Sequence, residues 1–132
     1  MTKLLEVLRD VPEVTFEPGH ILIKKGKDHR PLYILKEGEV EVQRDGTPIC
    51  RISYTGSAFG EISALLKIKP TATVITTKPS TFAVVEDPET LFASNAEATL
   101  EIAKLLAHRL NRLTYDYIAE LDDEDSIFWS GR

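Results

Sequence analysis

The stretch FGEISALLKIKPTATV, residues 59–74, sets a Gly-Glu pair before a short apolar run, continues through the basic turn Lys67-Ile68-Lys69-Pro70 and ends in alternating Thr, Ala and Val. A glycine in a turn lets backbone amides approach a ligand, and the carboxylate after it can accept hydrogen bonds from a diol. If the apolar run opens a helical turn, the free amides at its start attract an anion. Gly60, Glu61, Ile62 and Ser63 would then hold a sugar hydroxyl and a phosphate side by side. Alone the signal is weak, because Gly-Glu before an apolar run commonly marks a turn with a solvated carboxylate.

Upstream of this stretch, from Phe16, short apolar segments are separated by the turn signals Glu17-Pro18-Gly19, Lys25-Gly26, Glu37-Gly38 and Asp45-Gly46. Ile21 and Ile23, Leu32 and Ile34, and Val40 and Val42 recur at alternate positions, the period of half-buried strands. Arg44-Asp45-Gly46-Thr47 is the clearest hairpin signal, since Asp-Gly accepts the positive φ angles of a tight turn. Downstream, Thr71–Thr77 and Thr81–Val85 supply two β-branched strands divided by Lys78-Pro79-Ser80. About eight short strands in a sandwich or barrel are predicted.

Helical periods flank this β region. Thr2 can cap a short helix carrying Leu4, Leu5, Val7, Leu8 and Val11, which Pro12 ends. Asp87-Pro88 reads as an N-cap followed by the first helical position. A longer helix is predicted over about 96–121, where Ile102, Leu106, Leu110, Leu113, Tyr117 and Leu121 form one apolar stripe. A stripe this long overhangs a small β core in part and invites a second chain. Leu106, Leu110, Leu113 and Tyr117 are its lid or dimer-seam positions; His108, Arg109 and Arg112 read as a solvated basic face. Residues 122–132 are expected to form a mobile acidic tail ending in Ile127-Phe128-Trp129, so that the domain proper is 1–121.

With 132 residues, of which 42% are hydrophobic, the chain suits one core and not two. A net charge of −5 gives no field for phosphate backbones, which argues against nucleic-acid binding. No stretch approaches a bilayer span or a secretory h-region. The single cysteine, Cys50, cannot form an internal disulfide and reads as a buried small hydrophobe, which fits a reducing cytoplasm. His20, His29 and His108 make no metal-binding pair, and surface or turn roles are favoured for each. No nucleophile set stands out; neither an enzyme nor a metal or cofactor site is expected.

Taken together, Phe16-x-Pro18-Gly19-x-Ile21, Gly26, Leu32-Tyr33-Ile34-Leu35, Gly38-x-Val40-x-Val42, Phe59-Gly60-Glu61, Thr71-Ala72-Thr73-Val74 and Lys104–Leu110 resemble the cyclic-nucleotide-binding domain family in order and spacing, over roughly 4–121. The resemblance, to catabolite-activator-like and protein kinase A regulatory-like domains, implies a mainly β fold. That fold is a double-stranded β-helix, or jelly-roll-like β-roll, with a short N-terminal and a long C-terminal helix. It implies that Gly60 contributes backbone contact, that Glu61 accepts the ribose 2′-hydroxyl, and that the amides of Ile62 and Ser63 face a cyclic phosphate. Thr71 and Ala72 correspond to positions that also approach the phosphate, with Thr71 associated with a guanine base.

One position departs from the family. The ninth residue after the cassette Glu, an arginine on the phosphate in ligand-binding members, is here Pro70. Losing a charge-assisted contact weakens binding by roughly ten- to a few-hundred-fold. Lys67 and Lys69 flank the gap as substitutes, although lysine lacks the planar fork and a solvated role is favoured for both. The resemblance therefore implies a stand-alone regulatory domain binding cAMP or cGMP and signalling through a protein partner or a homodimer. The rival reading is a ligand-free interaction or dimerisation module with a degenerate cassette.

Overall fold

A computed structural model describes the backbone from Lys3 to Ser130 and the side chains as far as Glu120. Residues 1–99 and 100–132 form two compact units.

The first unit is built from two antiparallel four-stranded sheets. Its strands are β1 (Glu13–Phe16), β2 (Ile21–Ile23), β3 (Leu32–Glu37), β4 (Val40–Arg44), β5 (Thr47–Ile52), β6 (Ala58–Phe59), β7 (Thr73–Thr76) and β8 (Ser80–Val85). One sheet has the order β1-β8-β3-β6 and the other β2-β7-β4-β5. Strands thus alternate between the sheets, except that β4 and β5 form a hairpin within one, which is the β-roll that the resemblance implies. Sheet faces pack on one cluster drawn from both layers: Leu22, Ile23, Val40 and Val74 from one, Leu35, Phe59, Phe82 and Val84 from the other. Phe82 is fully enclosed, with Phe16, Tyr33 and Phe59 set edge-on or tilted around it.

Buried polar groups at the turns are satisfied. The Thr76 hydroxyl donates to the Glu17 carbonyl at 2.7 Å and accepts the His20 amide at 2.9 Å, anchoring the β1–β2 turn. Ser80, fully buried, accepts the Glu39 amide at 3.0 Å and donates to the Lys78 carbonyl at 2.7 Å. The Asp45-Gly46 hairpin forms as predicted, with φ of 52° and 81°.

The helices are α1 (Lys3–Val7), α2 (Glu61–Leu66), α3 (Pro88–Ser94) and α4 (Ala96–Ser130). Leu4 and Leu5 bury the inner face of α1; its predicted cap, Thr2, lies outside the described residues. Asp87 caps α3 as expected, accepting the Thr90 amide, with Pro88 in the first turn. Asn95 caps α4 through Oδ1, which accepts the Ala98 amide at 3.0 Å.

Several expectations need correction. The helix predicted to end near Leu121 runs to Ser130, because no Gly or Pro occurs between Pro88 and Gly131 to stop it. The residues of the expected 122–132 tail, including Ile127-Phe128-Trp129, lie outside the described side chains. In β2, Leu22 is buried beside Ile23 while Ile21 is exposed, because a bulge interrupts the pairing with β7. Cys50, expected inside, is exposed. It sits on β5, the edge strand of its sheet, where no neighbouring strand covers it.

Candidate functional site

Residues 59–74 bridge the two sheets. β6 pairs with β3 in one sheet, α2 follows, and residues 67–72 lead into β7 of the other. Gly60 starts α2 in the left-handed region at φ 92°. A Cβ there would stand 2.6 Å from the Pro31 carbonyl oxygen and 3.0 Å from His29 Nε2, so only glycine fits on both counts. Ala64 N donates to Gly60 O at 3.0 Å, and the amides before it have no helical carbonyl to bond. Lys67, also left-handed at φ 59°, ends the helix by donating its amide to Ser63 O.

Within this frame Glu61 and Ser63 are enclosed, at 5% and 7% exposure, whereas Ile62 is 47% exposed. Thr71 is exposed; Pro70 and Ala72 are half-buried. The backbone at the departure position is engaged: Pro70 O accepts the Gly26 amide at 2.9 Å, and Thr73 Oγ1 accepts the Lys25 amide at 3.0 Å. A turn of the β2–β3 loop is thereby tied along the strand-ward half of the cassette.

Strand register shows where the roll opens. Val40 lies opposite Thr76 and Ile52, and Val42 opposite Val74 and Cys50, so these six share one face. That face is closed at Val40, Thr76 and Val74 and open at Cys50. Val42 packs against the core cluster, and Cys50 is left open at the sheet edge.

A cleft of about 540 Å³ lies between α2 and α3, lined by Asp28, His29, Ser63, Lys67, Lys69 and Glu89 among others. Lys67 Nζ pairs with Glu89 at 2.7 Å, and Arg30 with Asp87 at 3.3 Å. The Asp87 carboxyl is held below its ordinary range, first by the Thr90 hydroxyl and amide and then by Arg30. Burial lowers the His29 pKa, partly opposed by its hydrogen bond to the Pro31 carbonyl at 2.7 Å. His29, for which a surface or turn role was expected, lies in the β2–β3 loop and is half-buried against Gly60, where the glycine leaves room for its ring.

Of the predicted site, Gly60–Ser63 form the start of α2 and Pro70–Ala72 the approach to β7. Among the described residues no group of His, Cys, Asp or Glu has metal-binding geometry, and no helix is long and apolar enough to cross a membrane. In the second unit, Leu110, Leu113 and Tyr117 are 66%, 65% and 61% exposed on α4, and Leu106 is half-buried.

The sequence model of the cyclic nucleotide-binding domain matches residues 13–93, from β1 into α3, and this chain belongs to that family. It is 39% identical over 64 residues to the cyclic nucleotide-gated channel beta-3 of Homo sapiens, a match covering 47% of this chain and 8% of the channel subunit. This chain thus spans a small part of the curated relatives it matches. The fold is shared with a cyclic nucleotide-binding domain from Methylobacillus flagellatus at TM-score 0.70 and 18% identity, covering 89% of this chain and 81% of that one. It is shared also with the catabolite activator protein of Thermus thermophilus at TM-score 0.68 and 21% identity, covering 90% and 60%.

Proposed function

We propose that this chain is a regulatory, non-catalytic domain that binds a cyclic nucleotide, cAMP or cGMP, between the start of α2 and the approach to β7. Gly60 and the amides of Ile62 and Ser63 receive the phosphate, Glu61 accepts the ribose hydroxyl, and Thr71 and Ala72 close the other side. The observation carrying this reading is the conformation of Gly60. Its positive φ and close approach to Pro31 O hold α2 with the amides of Ile62 and Ser63, which have no helical carbonyl to bond, at the head of the cassette. The exposed thiol of Cys50 suits a reducing compartment such as the cytoplasm. Output passes through a homodimer or a protein partner on the exposed face of α4. Calorimetric titration with cAMP and cGMP tests the reading, and the absence of both heat and thermal shift at millimolar ligand would overturn it.

A second reading is favoured by one observation: Pro70 has no charge to offer a phosphate, and its carbonyl is already used by Gly26. The roll would then serve as a ligand-free interaction or dimerisation module. Pro70→Arg separates the two, because a variant that binds where the parent is silent marks the parent as degenerate.

A further inference from the structure

We propose that the Lys24–Lys27 turn supplies the cation that position 70 lacks, with Lys24 and Lys27 addressing the ligand's phosphate; this rests on the cyclic-nucleotide reading above. The turn is built against the gap. Lys27 N donates to Lys24 O at 3.2 Å to close it, Gly26 takes a φ of 78° within it, and Gly26 N donates to Pro70 O at 2.9 Å. A backbone N–H···O=C contact sets two segments about 4.8 Å apart, the spacing of neighbouring strands. A lysine on its flexible four-carbon stem within two residues of Gly26 is therefore within reach of the space that a long side chain at position 70 would use.

The other cations near the cassette sit among carboxylates. Lys67 is held by Glu89 at 2.7 Å, and Lys67 and Lys69 both line the cleft toward α3, in company with Asp28, Asp87 and Glu89. Within the turn itself, Lys25 is held by Asp45 at 2.6 Å. Lys24 and Lys27 are exposed and, among the described residues, make no ion pair. An ammonium with no carboxylate to satisfy it needs no rearrangement before meeting an anion. The missing arginine is thus replaced from a segment 44 positions upstream (70 − 26 = 44), not from its sequence neighbours.

Calorimetry on the full chain, comparing cAMP and cGMP with uncharged adenosine and guanosine, tests this directly. The Lys24→Gln/Lys27→Gln variant should bind the cyclic nucleotides about ten- to a hundredfold more weakly and the nucleosides unchanged, with a shallower salt dependence. Lys27→Arg should retain binding, and Lys67→Gln/Lys69→Gln should bind as the parent does. Thermal melts identify a variant that has lost its fold, in which case the two single substitutions carry the same comparison. A parent that binds while the double variant binds equally well overturns this inference and leaves the cyclic-nucleotide reading standing. A folded parent that binds no cyclic nucleotide overturns both.

Discussion

Gly60 and Pro31 approach so closely that a Cβ at position 60 would lie 2.6 Å from the Pro31 carbonyl oxygen, an atom that already accepts His29 Nε2–H at 2.7 Å. The start of α2 is therefore locked to the β2–β3 loop through a contact no other residue type permits. Gly60→Ala should cost about 1–3 kcal/mol from the positive φ alone, with the clash adding to it. Urea unfolding reads this as a lower midpoint at unchanged slope, and an unchanged midpoint would contradict the assigned backbone conformation.

His29 makes stability depend on pH. Its folded pKa lies below the ordinary 6.5, with burial the larger cause. The unfolded chain therefore binds a proton first, and stability is full above about 6.5 and declines as pH falls from there toward the folded value. Asp45, Asp87 and Glu41, whose pKa values are lowered by their hydrogen bonds, act in a separate window below their ordinary values of 3.8 to 4.5. Denaturation midpoints between pH 7 and 5 should fall in the parent and stay flatter in His29→Gln.

Thr71 is exposed at the approach to β7, and the proposed reading sets its hydroxyl against a guanine base. Thr71→Ala should weaken cGMP about three- to tenfold and leave cAMP nearly unchanged. Equal effects on both ligands would remove Thr71 from base recognition.

Leu110 and Leu113, with Tyr117, keep most of their surface in solvent along α4. If this face is the seam of a homodimer, the parent should weigh two chains by light scattering, and Leu110→Glu/Leu113→Glu should weigh one while melting as a folded protein. A monomeric parent would assign the face to a different protein partner.

Much of the roll was legible because its signals are local. The Asp45-Gly46 hairpin, the Asp87-Pro88 cap and the alternation of Val40 and Val42 each depend on residues within a few positions of one another. The cassette was legible as residue types, glycine before a carboxylate before an apolar turn. Its neighbours were not. His29 and Gly26 meet Gly60 and Pro70 across 31 and 44 positions (60 − 29, 70 − 26), and no periodicity announces a contact between loops. The helix end at Leu121 was misread from a fading apolar stripe, although α4 continues without Gly or Pro as far as Ser130.

The sequence by itself determined the class of fold and the lack of arginine at position 70, since turn chemistry, strand period and residue identity are properties of neighbours along the chain. Tertiary structure alone decided which side chains surround that gap. A register shift between Val42 and Gln43 also sets Cys50 opposite Val42, where an unbroken two-residue hairpin would set Ile49. Lys67 and Lys69, the nearest cations in sequence, line the cleft toward α3, while the Lys24–Lys27 turn is drawn against Pro70 by a single backbone hydrogen bond. The charge around a site depends on which loops the sheets bring together, and that pairing is settled only when the roll closes.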